Sequence, residues 1–313
     1  PAPTSEPEQT VEAATNDPAA TAEIADAGQS NYNWDDPRRV TVLLMGIDQR
    51  AGETGSFPTD TMILFSLDPV GKTIAILSIP RDLWVNFPSL NTPGRINTAN
   101  ILGDEISYPG GGGPAFAVET VESNLAVNID YYVLINFEVF TAVVDAVGPV
   151  EVCPPEPIDD DKYPDGSYGT ITIHFDAGCQ ELDSERLLQY ARTRHGNSDI
   201  DRSTRQQEVI MAVRDKVLTA GGVMALVPEA STLWNSMQAN VRTNMTLEQI
   251  VSLARKAEEV DPENIRRGQI TFEDVEISTT PEGDQILIPI ATDIRLLIED
   301  LFRPPNTPST RAQ

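Results

Sequence analysis

The chain has 313 residues, with 22 basic against 48 acidic side chains and a formal net charge of −26. That length allows one large domain or two small ones, and that charge excludes a nucleic-acid phosphate-backbone binder and an electrostatic dock onto anionic lipid. No run of about twenty apolar residues occurs, so no segment of this sequence spans a bilayer as a helix.

Residues 1–37 are rich in Ala, Thr, Pro, Asp and Glu and contain no Lys or Arg. They cannot bury enough apolar surface to order themselves and read as a disordered acidic linker. The start at Pro1 is the expected mark of a processed or trimmed chain whose upstream membrane anchor or signal has been removed. Val40 to Met45 is a continuous apolar run, expected as a buried strand. Thr61 to Leu67 and Thr73 to Ile79 are two further strands, joined as a hairpin by the Asp68-Pro69-Val70-Gly71 turn. After the flexible Gly110 to Gly113 loop, Pro114 opens a helix that runs to Leu125. Tyr131 to Asn136 is a strand, Phe137 to Val147 a helix closed by Gly148, and Val150 to Cys153 a short strand. Pro154 to Gly169 is expected as a surface loop.

Ser184 to Tyr190 reads as a helix, and a longer one capped by Asp201 or Ser203 runs to about Leu218, stopped by Gly221-Gly222. Val223 to Met237 and Thr246 to Val260 are amphipathic helices. Short strands are expected at Ile270 to Phe272, Val275 to Ile277 and Ile286 to Ile290, then a final helix over Ala291 to Phe302. Strands and helices interleave throughout, and the early hairpin excludes a purely parallel sheet. The expected class is therefore α/β, an α-β-α layering of helices about a central mixed sheet. No Pro/Gly/Ser-rich linker interrupts residues 38–303, which read as one domain, with 304–313 a flexible tail.

Cys153 and Cys179 permit one pairing: a disulfide if the chain is exported, two buried thiols if it is cytosolic. With His174 and His195 the only imidazoles, a zinc site of common type is excluded.

The chemistry concentrates elsewhere. Arg192, Arg194, Arg202, Arg205 and Gln206 fall within fifteen residues of an acidic chain, whereas Lys162 is the only Lys or Arg from Ile96 to Glu185. Guanidinium forks so gathered suit a bidentate grip on phosphate or pyrophosphate. Arg202 and Gln206 lie one helical turn apart, on the stripe continued by Val209, Ile210, Val213 and Val217. They therefore face the core, where polar groups either meet buried partners or line a pocket. Arg192 and Arg194 alternate about Thr193 and, in an extended segment, point to one side; an exposed basic strand edge is the alternative.

Asp48 follows the first strand and Asp60 precedes the second. If those strands pair antiparallel, both carboxylates meet at one edge of the sheet. Two carboxylates beside a phosphate suit Mg²⁺, which keeps several positions for water and phosphate oxygens. Taken singly, each is more often a turn residue or a cap than a metal ligand. Arg81, in Ser78-Ile79-Pro80-Arg81-Asp82, projects at the same edge.

These stretches resemble the LytR-CpsA-Psr family of bacterial cell-wall enzymes. The matching segments are Leu44 to Arg50, Thr59 to Met62, Ser78 to Leu83, Arg95 to Ala99, Tyr131 to Val133 with Asn136-Phe137, and Val144 to Val150. Tyr190 to Arg194 and Asp201 to Gln207 complete the series, in family order over about Val40 to Val217. The chain departs from the usual pattern at Thr59, at Gly148-Pro149-Val150 and at His195-Gly196-Asn197.

The resemblance implies a phosphotransferase that moves a glycopolymer phosphate from a polyprenyl-pyrophosphate carrier onto peptidoglycan. It assigns Mg²⁺, with Mn²⁺ as a substitute, to Asp48 and Asp60. It assigns the pyrophosphate to Arg81, Arg192, Arg194, Arg202 and Gln206, with Arg205 beside them, and the carrier lipid to an apolar tunnel between sheet and helices. It also implies an extracytoplasmic location, with an N-terminal membrane helix ahead of the linker. No general base is singled out among Asp48, Asp60 and Asp82. A non-catalytic polyprenyl-phosphate binder and a polyprenyl-pyrophosphate hydrolase are the alternatives.

Overall fold

The computed structural model describes residues 39–50, 52–165, 169–194, 199–238 and 240–304. The expected linker, residues 305–313 of the expected tail, and His195-Gly196-Asn197 lie outside the described residues.

Six strands form the central sheet. β1 (Val40–Ile47) pairs antiparallel with β2 (Thr59–Asp68), which pairs antiparallel with β3 (Thr73–Ser78). The Asp68 carboxylate closes the turn, accepting hydrogen bonds from the Val70 and Gly71 N–H groups at 2.9 and 2.7 Å. β4 (Trp84–Phe87) and β5 (Thr92–Arg95) make a separate hairpin. β6 (Tyr131–Ile135) returns parallel to β1, which makes the sheet mixed, as expected.

Period-two alternation assigns the two faces. Leu43, Met45, Met62, Leu64, Ala75 and Leu77 enter the largest core. That core is covered by α1 (Ala99–Glu105), α2 (Gly113–Leu125) and the C-terminal helix described below. At the α1–α2 contact, a Cβ on Gly103 would lie 2.4 Å from the Phe116 Cβ, so only glycine allows this packing. Ile63, Leu67, Ile74 and Ile76 point the other way, toward helices of the second half.

α3 (Phe137–Val147) follows β6, and β7 (Val150–Val152) follows α3. The expected loop from Pro154 to Gly169 is corrected: β8 (Ile158–Pro164) pairs antiparallel with β9 (Thr170–Phe175). Acidic residues hide the strand pattern of β8, which buries only Asp160 and Tyr163. β10 (Gln180–Leu182) pairs with β7, and the Cys153–Cys179 disulfide (S–S 2.09 Å) brackets the β8–β9 hairpin. Closing that loop stabilises the folded chain by about 3–4 kcal/mol in a chain-entropy account.

α4 (Ser184–Arg192) runs two residues beyond the expected end and takes in Arg192. α5 (Asp199–Thr219) starts before the expected caps, Asp201 and Ser203. α6 (Val223–Met237) precedes β11 (Val241–Thr243), and α7 (Leu247–Glu258) carries a capping box between Thr246 and Gln249. The strand expected at Ile270 to Phe272 lies earlier, as β12 (Ile265–Gln269), parallel to β3. Arg266 and Arg267 masked it in the sequence; Arg266 spends its charge on the Leu301, Arg303 and Pro304 carbonyls. β13 (Val275–Thr279) and β14 (Gln285–Pro289) form a hairpin, and α8 (Ala291–Phe302) packs onto the large core.

The sheet order is β11-β6-β1-β2-β3-β12. Both edges therefore come from the last third of the chain. At one edge, Arg242 of β11 grips Asp104 of α1 with two hydrogen bonds of 2.7 Å each. The Ser56 hydroxyl and the Gly113 N–H add two more at 2.6 Å. Burial pushes the Asp104 carboxyl pKa up, but these four donors outweigh it and hold the pKa at about 2. Among the described residues, no helix is long and apolar enough to cross a membrane.

Candidate active site

A cavity of 960 Å³ opens where β1, β3 and β6 end and β2 begins. Cavities at the carboxyl ends of parallel strands are the usual ligand sites of α/β sheets. One part of its wall is apolar, from Leu44, Ile63, Val133, Ile135, Phe140, Leu188, Val209 and Ile210; the other carries the charges.

Backbone geometry delivers the carboxylates. Asp48 follows the end of β1. In the β1–β2 ladder, Gly46 faces Thr61 and Ile47 faces Thr59, so Asp60 is the extra residue of a β-bulge. Adjacent strand residues normally face opposite sides, but here Asp60 and Thr61 both line the cavity. Asp60 therefore lies inside β2 rather than ahead of it.

The arginines arrive from three elements. Arg81, just past β3, meets Asp60 Oδ1 at 2.5 Å. Arg192, the last residue of α4, donates to Asp48 Oδ2 at 2.8 Å and to the Tyr163 hydroxyl at 3.1 Å. Its guanidinium lies 4.0 Å from the Phe137 ring centroid and 5.5 Å from that of Tyr163. The Phe137 ring contact and the Tyr163 hydrogen bond together restrict the fork. Arg202, on α5, is 6% exposed and donates to the Asp60 main-chain carbonyl at 3.2 Å. Gln206, one turn on, donates to the Thr61 hydroxyl at 2.9 Å. The stripe read from the sequence holds: Arg202, Gln206, Val209 and Ile210 all line the cavity.

Asp48, Asp60, Arg81, Arg192, Arg194, Arg202 and Gln206 thus share one wall system, although more than a hundred residues separate the first from the last. Arg205 stands apart from the others. It does not line the cavity, and it donates instead to the Thr193 carbonyl. Asp82 is also absent from the cavity and sits between Arg81 and Arg95, 3.6 and 3.4 Å from their Nε atoms. Arg95 turns away toward β14, donating to the Gln285 carbonyl at 2.9 Å.

Sequence reasoning missed Asp160, Asp161, Lys162 and Phe137 as cavity residues. The first three belong to the unread strand β8. Alternation in Thr170-Ile171-Thr172-Ile173-His174-Phe175 is the signal that marks its hairpin partner.

The Asp48 Oδ1 atom is buried and accepts no hydrogen bond. Its nearest cation is Arg50 Nε at 3.8 Å, and a carboxylate oxygen without a donor, in a cavity that a second carboxylate also lines, fits a hard cation such as Mg²⁺. The one close group of three His, Cys, Asp or Glu ligand atoms among the described residues is Glu151 with Cys153 and Cys179. Its sulfurs are spent in the disulfide, so it offers no comparable site.

A profile of the LytR_cpsA_psr family matches residues 7–289. A polyisoprenyl-teichoic acid–peptidoglycan teichoic acid transferase, TagU of Oceanobacillus iheyensis, is 31% identical over 225 residues, 71% of this chain and 64% of that protein. TagV of Bacillus subtilis, a transferase of the same description, is 32% identical over 216 residues, 68% of this chain and 53% of that protein. The chain thus spans somewhat over half to two thirds of the length of these relatives. The crystal structure of B. subtilis TagV superposes with a TM-score of 0.66 at 26% identity, covering 87% of this chain and 99% of that one. Profile, relatives and fold agree: the chain belongs to the LytR_cpsA_psr family.

Proposed function

We propose that the chain is a phosphotransferase that moves a glycopolymer phosphate from a polyprenyl-pyrophosphate carrier to a peptidoglycan hydroxyl. The observation that carries this reading is a single cavity with an arginine-and-carboxylate end and an apolar end. A lipid pyrophosphate has those two chemistries in that order. The names of TagU and TagV supply the polymer class and the acceptor.

In this reading the acceptor oxygen attacks the distal phosphorus. The bond from that phosphorus to the bridging oxygen breaks, and polyprenyl monophosphate leaves with the electron pair. The hydroxyl proton passes to a carboxylate or to water. Phosphoryl transfer of this type depends on positioning and charge neutralisation. Arg192 and Arg202 orient the pyrophosphate and offset charge that grows on the leaving phosphate. Asp48 and Asp60 would hold Mg²⁺, which would supply charge neutralisation at the phosphate. Arg81 keeps Asp60 aimed into the cavity. The apolar walls take the first isoprene units and exclude water, which favours the sugar hydroxyl over hydrolysis.

The disulfide suits an oxidising compartment, in keeping with an extracytoplasmic enzyme. The test is product analysis with a polyprenyl-pyrophosphate glycan, with and without a peptidoglycan fragment. Glycan appearing on the fragment supports the transferase. Free glycan phosphate regardless of fragment identifies a hydrolase, and intact substrate identifies a binder.

A further inference from the structure

Arg192 and Arg194 flank Thr193, a residue with no exposed surface. Three buried contacts fix it. Its N–H donates to the Gln189 carbonyl at 3.0 Å, its hydroxyl donates to Asp160 Oδ2 at 2.6 Å, and its carbonyl accepts from Arg205. The same Asp160 oxygen accepts the Arg194 N–H at 3.3 Å, and Oδ1 accepts the Lys162 N–H at 3.0 Å. Asp160 and Arg205 are each 8% exposed. Burying two opposite charges on either side of one threonine is costly unless both are engaged.

The geometry explains the need. Two residues apart on a helix, side chains point about 200° away from each other. Arg192 and Arg194 could not then share a wall. Thr193 leaves the helix at φ −56°, ψ 142°, an extended conformation, and Arg194 returns to the cavity that Arg192 enters. That break in direction is held from β8 by Asp160 and from α5 by Arg205. Each is supplied by an element that also lends residues to the cavity.

We propose that Asp160, Thr193 and Arg205 are positioning residues that aim the Arg192 and Arg194 guanidinium groups at one anion. This rests on the pyrophosphate reading above and adds to it. It also gives Arg205 a place: it acts through the Thr193 carbonyl rather than on the phosphate.

The experiment is calorimetric titration of the folded chain with inorganic pyrophosphate, with thermal unfolding recorded for each variant. Thr193→Val loses the hydroxyl and weakens binding roughly tenfold, and Thr193→Ser keeps the hydroxyl and binds within about twofold of the parent. Asp160→Asn, which keeps the shape of the side chain, also weakens binding and serves if Thr193→Val does not fold. Parent-like affinity in both Thr193→Val and Asp160→Asn, or equal losses in Thr193→Val and Thr193→Ser, overturns the proposal. Arg192→Ala is the control. If it weakens binding while neither Thr193→Val nor Asp160→Asn does, the positioning claim fails alone; if it binds as the parent does, the pyrophosphate reading fails and the positioning claim with it.

Discussion

One arginine–aspartate network sits at the β11 edge of the sheet and another in the cavity, and they are built differently. At the β11 edge, Arg242 and Asp104 meet fork to fork, and the Ser56 hydroxyl and Gly113 N–H fill the remaining acceptor sites. That pair is closed and has nothing left to bind. In the cavity, Arg192 reaches Asp48 through one nitrogen and the Tyr163 hydroxyl through the other, and the second oxygen of Asp48 accepts no hydrogen bond. That pair is open toward a space large enough for a phosphate and several isoprene carbons. The saturated network holds helix to sheet, whereas the unsaturated one keeps hydrogen-bonding capacity facing the cavity.

If the two networks differ in this way, substitutions should separate them. Arg192→Ala lowers glycan transfer on the order of 10²–10⁴-fold and moves the unfolding free energy by less than about 1 kcal/mol. Steady-state transfer and chemical denaturation measured on one preparation check both halves. Asp48→Asn and Asp60→Asn together abolish turnover and leave lipid-pyrophosphate binding measurable, which a pull-down on polyprenyl-pyrophosphate vesicles reads.

Reducing the Cys153–Cys179 bond lowers stability by about 3–4 kcal/mol. The loss is seen in denaturant midpoints with and without a strong reductant. Because the bond brackets the hairpin carrying Asp160 and Tyr163, transfer falls with it. Arg242→Ala costs about 1–2 kcal/mol, since it removes two donors from the Asp104 carboxylate in a partly solvent-screened pair, and leaves kcat unchanged.

The smallest effect is the pH dependence of the Arg242–Asp104 network. Asp104 has a depressed folded-state pKa of about 2 against an ordinary 3.8. Its contribution is therefore complete above about pH 4 and is lost as pH falls toward 2. Arg242 is 40% exposed, so solvent screening trims the contribution to about 1–2 kcal/mol. Unfolding curves of the parent and Asp104→Asn converge between pH 4 and 2 if this holds.

What the sequence disclosed and what it hid follow from the same physics. Strands buried on both faces, such as Val40–Ile47, read directly as apolar runs, and helices with a one-sided stripe read as cleanly. The Arg202–Gln206 stripe was legible because helical spacing alone places those side chains with Val209 and Ile210. β8 was hidden because its inward residue, Asp160, is a carboxylate whose burial is offset by Thr193 and Arg194, two partners far along the chain. β12 was hidden because Arg266 finds carbonyl partners at the end of the closing helix. The bulge at Asp60 was equally invisible, since a register shift depends on two strands together. In each case a partner distant in sequence overrode the local pattern.

The central claim is that the open network of the cavity grips a lipid pyrophosphate for transfer. The most direct test is glycan transfer from a polyprenyl-pyrophosphate donor to a peptidoglycan fragment by the parent, Arg192→Ala and Arg202→Ala. Loss of transfer in both variants, with unfolding midpoints unchanged, is the predicted result. Near-parental transfer by both would contradict it.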